Sequence, residues 1–252
     1  MERSEGDAMV VLSAPASEAS SGPVTTTGRR GWRRFLLPVT YVYVAALIAV
    51  AVSLSVMTDS MQNKIVLHAS TNLHNLLRGH FGTLFSSALV IGDNSAALVI
   101  IPLLVSLLAL AELRFGAWQV IRIFLAGHIG ATLLVALGLW VAVEAGWLPV
   151  DITRAEDVGI SYGALALIGA FFALLPHRWR PTWAITWLAV AVAGVLMGRT
   201  FTNVGHLLAV SIGLLAGFWA LRIRGLELPK LTWFETGLLI VASALGYLLL
   251  VG

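Results

Sequence analysis

The chain has 252 residues, 58% of them apolar and 12% charged, whereas ordinary soluble domains carry ~45–50% and ~25%. So few charges cannot cover a globular surface, which excludes a soluble enzyme. A net charge of +3 with no lysine-rich block or RNA-binding motif excludes a nucleic-acid binder.

Residues 1–34 are rich in Ser, Ala, Thr and Gly, without apolar periodicity, and close on the basic cluster Arg29, Arg30, Arg33 and Arg34. They are expected to form a disordered cytoplasmic tail. Residues 35–252 are expected to form one membrane domain. Its first span, Phe35–Met57, runs 23 residues without a charge, too long for the ~7–15-residue apolar core of a cleaved signal. In the connection that follows, Leu73, Leu76, Leu77, Phe81 and Leu84 recur every three or four positions. That spacing predicts a helix lying in the bilayer interface, or a structured loop capping the bundle.

Six more apolar segments follow at Asn94–Ala111, Trp118–Val143, Gly159–Leu175, Trp183–Gly198, Val204–Leu221 and Trp233–Val251. The expected fold is therefore an all-α polytopic bundle of six core spans plus a C-terminal seventh. A cytoplasmic N-terminus puts 12 of the 16 Lys and Arg residues inside and leaves Lys64, Arg78, Arg154 and Arg199 outside. This bias predicts an integral protein, placed in the plasma membrane, with its C-terminus outside. No internal repeat supports a transporter built from inverted halves.

Polar groups at membrane depth are costly, and each is a functional candidate. Ser161, in Gly159-Ile160-Ser161-Tyr162-Gly163, stands at the outer start of the fourth span. No strand precedes it, so it is not an α/β-hydrolase elbow. Its setting at a helix N-terminus leaves unpaired N–H donors that favour a developing oxyanion. The span has 17 residues, about 25 Å against a ~30 Å hydrocarbon core, so Ser161 is expected at the bottom of a recess. His206 opens the sixth span and shares its face with Gly213 and Gly217 at 100° per residue. The fourth span offers the matching row Ser161, Leu165, Gly169, Ala173, so serine and histidine can meet as nucleophile and base. The competing structural reading has a serine bonded to its own helix and a histidine bridging helices. For His128 that bridging role is the expectation. Glu112 and Glu235 are read as interfacial, and the tryptophans (Trp140, Trp147, Trp183, Trp187, Trp219, Trp233) as interfacial anchors. No feature demands a metal or organic cofactor, and cysteine is absent.

Across residues 70–222 the order of features resembles the rhomboid intramembrane serine proteases. Glu112-Leu113-Arg114-Phe115-Gly116 is similar to the family's Glu-x-x-x-Gly turn. Gly159-Ile160-Ser161 through Gly169 resembles the nucleophile helix, and Gly205-His206 through Gly213 resembles the helix carrying the base. The resemblance implies a dyad of Ser161 and His206 cleaving single-pass membrane proteins, with the fifth span flanking substrate access and the lipid bilayer as surroundings. Tyr162 stands where the family usually has glycine. Ala96 and Ile100 occupy the places of its oxyanion His and Asn, with Asn94 out of register, and Arg78 is the sole substitute for its first-loop Trp–Arg pair. These departures keep a second expectation open: an inactive relative that binds membrane-protein clients.

Overall fold

The computed structural model describes residues 36–91, 94–158, 160–224 and 230–251; the tail expected at 1–34, including its arginine cluster, and Gly159 lie outside the described residues. Every regular element among the described residues is helical. In chain order these are α1 (Pro38–Ser55), α2 (Asp59–Ala69), α3 (Leu73–Leu77), α4 (Thr83–Ser86), α5 (Asn94–Phe115), α6 (Ala117–Glu144), α7 (Ile160–Ala170), α8 (Arg180–Gly198), α9 (Phe201–Arg224) and α10 (Trp233–Val251), with short 3₁₀ turns between some of them. Six helices are long and apolar enough to cross a membrane, and the helix at Ile160–Leu174 is shorter. The seven predicted spans are thus all helices, and the fourth is the short one.

The boundaries follow local chemistry. Pro38 opens α1, where a missing N–H costs nothing. Gly116, between α5 and α6, has φ +82°, a left-handed setting that favours glycine. From Phe171 to Leu174 the chain of α7 continues as a 3₁₀ helix. The tighter coil rises ~2.0 Å per residue against ~1.5 Å, so 15 residues still reach about 25 Å.

Helix α7 is the axis of the bundle. Every residue from Ile160 to Ala170 is buried, as expected for a helix apolar on all sides. It packs against α5, α6, α9 and α10. Between helices in lipid there is little hydrophobic driving force, so close packing must hold them. Glycines supply it. A Cβ on Gly213 or Gly217 of α9 would overlap the backbone of Ala166 or Ala170, and one on Gly169 would overlap the backbone around Val210. The seam on α7 therefore runs through Ala166, Gly169 and Ala170 instead of the expected Leu165 and Ala173. On α6, Gly127 meets Ala166, and Gly163 of α7 meets the Phe124 ring.

The connection before α5 is a structured cap, not one interfacial helix. Gly79, at φ +79°, separates α3 from α4, so Leu77 and Phe81 face outward while Leu73 and Leu84 are buried. Glu112 is also not interfacial. Its buried carboxylate accepts the Val39 N–H at 3.1 Å, the Thr40 N–H at 2.8 Å and the Thr40 hydroxyl at 2.8 Å, satisfying donors that the first turn of α1 leaves unpaired. Glu235 accepts from Thr232 and pairs with Arg114 at 2.8 Å. Trp187 is buried, with its ring edge-on to Trp183 and beside Gly246 of α10. Trp183 donates to the Ile168 carbonyl at 3.0 Å, so this pair packs the bundle, whereas Trp147 and Trp233 are exposed. Through Ala242, Leu245, Gly246 and Leu250, α10 packs into α5, α7 and α8.

Candidate active site

Ser161 sits in the first turn of α7 and His206 in the second turn of α9. The glycine seam below them draws the two helices together, and it brings the His206 Nε2 to 3.0 Å from the Ser161 Oγ. Both residues are buried, at 8% and 6% exposure. The geometry is within nucleophile–base reach. The Tyr162 ring stands edge-on to the His206 ring, centroids 5.6 Å apart, and lies against Gly205. The ring thereby fills the space beside the imidazole. Among the described residues His206 Nδ1 is buried without a hydrogen-bond partner, so no described carboxylate steadies the ring from behind.

A cavity of about 550 Å³ reaches His206 between α8, α9 and the C-terminal end of α10. Thr200, Thr202 and Asn203 give it polar groups, and Met197, Tyr247 and Leu249 give it apolar walls. Asn203 donates to the Gly194 carbonyl at 2.9 Å. Water inside the bundle needs a recess of this kind.

A second serine–histidine contact exists and was not expected. Ser87 Oγ lies 3.3 Å from His128 Nε2. The same nitrogen is 2.8 Å from the Leu84 carbonyl. A carbonyl can only accept, so this nitrogen carries a proton and has no lone pair for Ser87. His128 therefore joins α6 to the cap, the bridging role expected of it, with the cap as partner in place of a neighbouring span. Thr71 extends this network to Ser87 at 2.6 Å and to the Thr83 carbonyl at 2.7 Å.

The chain enters α7 through Asp157. Its N–H donates to Ser70 Oγ at 2.7 Å, while its carbonyl accepts from the Ser70 hydroxyl at 3.1 Å and the Thr71 N–H at 3.0 Å. The cap is thus fastened four residues before Ser161. The carboxyl oxygen Oδ1 is buried without a partner, and burial pushes the carboxyl up to about 6. Among the described residues, no three His, Asp or Glu side chains gather as a metal site. The side chains of Asn94 and Ala96 lie outside the described residues.

A family model described as rhomboid-like protein matches residues 34–224, about three quarters of the chain. The chain belongs to the rhomboid-like family. No curated protein and no solved structure matched. The rhomboid-like stretch contains Ser161, His206 and the Glu112–Gly116 turn and stops before α10. Membership and six apolar spanning helices make this rhomboid-like chain an integral membrane protein. Sequence reasoning found the Ser161–His206 pair because both residues are polar islands in apolar runs. It missed the Ser70–Asp157 fastening and the Ser87–His128 contact, since Ser70, Ser87 and Asp157 carry no such contrast in the connecting segments; His128 stood out in its span, but its partner did not.

Proposed function

We propose that the chain is an intramembrane serine endopeptidase that cleaves single-pass membrane proteins with Ser161 as nucleophile and His206 as base. The observation that carries this reading is the 3.0 Å contact between the two side chains at the edge of a recess within the bundle. Ser161 Oγ attacks the scissile carbonyl as its proton passes to His206 Nε2. The imidazolium returns that proton to the leaving amine, and water then releases the acyl group by the same steps in reverse order. In this reading the N–H groups that the first turn of α7 leaves unpaired stabilise the oxyanion. The basic-residue bias puts the N-terminus in the cytoplasm and the dyad nearer the outer face of the plasma membrane.

The test is labelling of the purified protein by a serine-directed fluorophosphonate, together with cleavage of a model single-pass substrate. Ser161→Ala should abolish both, and His206→Ala should abolish cleavage. The Tyr162 ring beside the dyad favours a second reading, an inactive member that holds membrane-protein clients. Failure of the parent chain to label or cleave, with retained capture of a single-pass helix, would establish that reading instead.

A further inference from the structure

At the end of the bundle opposite the dyad, α7, α8 and α9 leave a groove of about 520 Å³. Its mouth carries three basic side chains, His177, Arg180 and Arg222, and its walls are Phe172, Phe218 and Leu221. Arg180 lines the groove and donates its Nε–H to the Leu175 carbonyl at 3.0 Å, a bond that leaves its two terminal NH2 groups for a ligand. Among the described residues no acid lines the groove, and the one salt bridge is Arg114 with Glu235, elsewhere. Phe218 is half exposed and Ile223 exposed along the same end of α9. Beside the groove, Trp179 is exposed with Arg178 above its ring, which sets this end at the membrane–water boundary.

We infer that this groove binds one anionic glycerophospholipid, with its phosphate between Arg180 and Arg222 and an acyl chain along Phe172, Phe218 and Leu221. Guanidinium forks suit phosphate oxygens better than point charges do. The apolar walls admit an acyl chain, and basic sites between helices at the membrane boundary select lipids of net negative charge. Two arginines, with no opposing acid among the described residues of the groove, favour phosphatidylglycerol over phosphatidylcholine, whose choline group brings a further positive charge to the mouth. The site is separate from the dyad and does not depend on proteolysis.

The experiment titrates the purified full chain, in detergent, with dioleoyl-phosphatidylglycerol or dioleoyl-phosphatidylcholine and counts bound lipid by native mass spectrometry. Phosphatidylglycerol should bind at least tenfold more tightly. The double variant Arg180→Gln/Arg222→Gln should lose about thirtyfold in that affinity, from two surface charges. Arg180→Lys/Arg222→Lys, which keeps both charges but not the forks and guards against misfolding, should fall between the parent and the double Gln variant. Arg122→Gln, a basic residue outside the groove, should leave it unchanged. Equal binding of the two lipids, or an undiminished affinity in the double Gln variant, would overturn the inference. So would phosphatidylglycerol binding that appears only in Glu227→Gln, since Glu227, outside the described residues, would then be the native counter-ion.

Discussion

Replacing Gly213 by alanine adds one methyl group at the tightest point between α7 and α9. A Cβ there lies 2.7 Å from the Ala166 carbonyl carbon and 2.8 Å from its Cα, and closer still to the carbonyl oxygen. Ordinary contact is ~3.5–4.0 Å, and the atoms in the way are backbone, so the helices must part by about 1 Å. Overpacking of this kind costs about 1–3 kcal/mol. The same separation carries the Ser161–His206 contact from 3.0 Å toward about 4 Å, beyond hydrogen-bond reach. A misplacement of ~1 Å costs on the order of 100-fold in rate. Gly237→Ala is the matched control, because its Cβ meets nothing within 4 Å on α10 and helix propensity alone favours alanine by up to ~1 kcal/mol. Thermal midpoints in detergent and fluorophosphonate labelling rates give the two readouts. Gly213→Ala should lose on both counts while Gly237→Ala loses on neither. A Gly213→Ala protein indistinguishable from the parent would refute the argument that backbone contact sets the dyad.

Three further outcomes are expected. Glu112→Gln leaves one acceptor where two oxygens served three donors and should lower stability by about 2–3 kcal/mol, read as a reduced unfolding midpoint. Because burial raises the Asp157 carboxyl from 3.8 to about 6, the protonated form suits the folded state. That contribution is full below about pH 4 and is lost as pH rises through about 6, amounting to about 3 kcal/mol. Asp157→Asn should therefore raise the midpoint at pH 7.5 and flatten its dependence between pH 4 and 7. Ser87→Ala should keep fluorophosphonate labelling intact, since the proton on His128 Nε2 denies Ser87 a base; loss of labelling there would move the nucleophile away from Ser161.

The bundle was legible because lipid imposes a simple rule: uninterrupted apolar runs become helices, and the short fourth run became the buried axis α7. The Ser161–His206 pairing was legible for a related reason. Gly213 and Gly217 fall on the face of His206 at helical spacing, and such a face seeks a close neighbour. The exact seam was not, because Ala166 and Leu165 are adjacent and hydropathy cannot choose between two rows rotated by 100°. Glu112 misled because a carboxylate at a span end looks the same in sequence whether it meets water or the open N–H groups of α1. The cap defeated the periodicity argument at Gly79, whose positive φ broke a run whose leucines were otherwise correctly spaced.

The fastening of the cap to the start of α7 uses only main-chain atoms of residue 157, gripped by the hydroxyl of Ser70 and the amide of Thr71. Its two ends are therefore unequal in what they can tolerate. Position 157 can exchange its side chain and keep the grip, which frees that carboxylate to answer to acidity. Position 70 has no such freedom: without a small hydroxyl there, the cap loses two of its three ties to the segment entering α7 at a stroke.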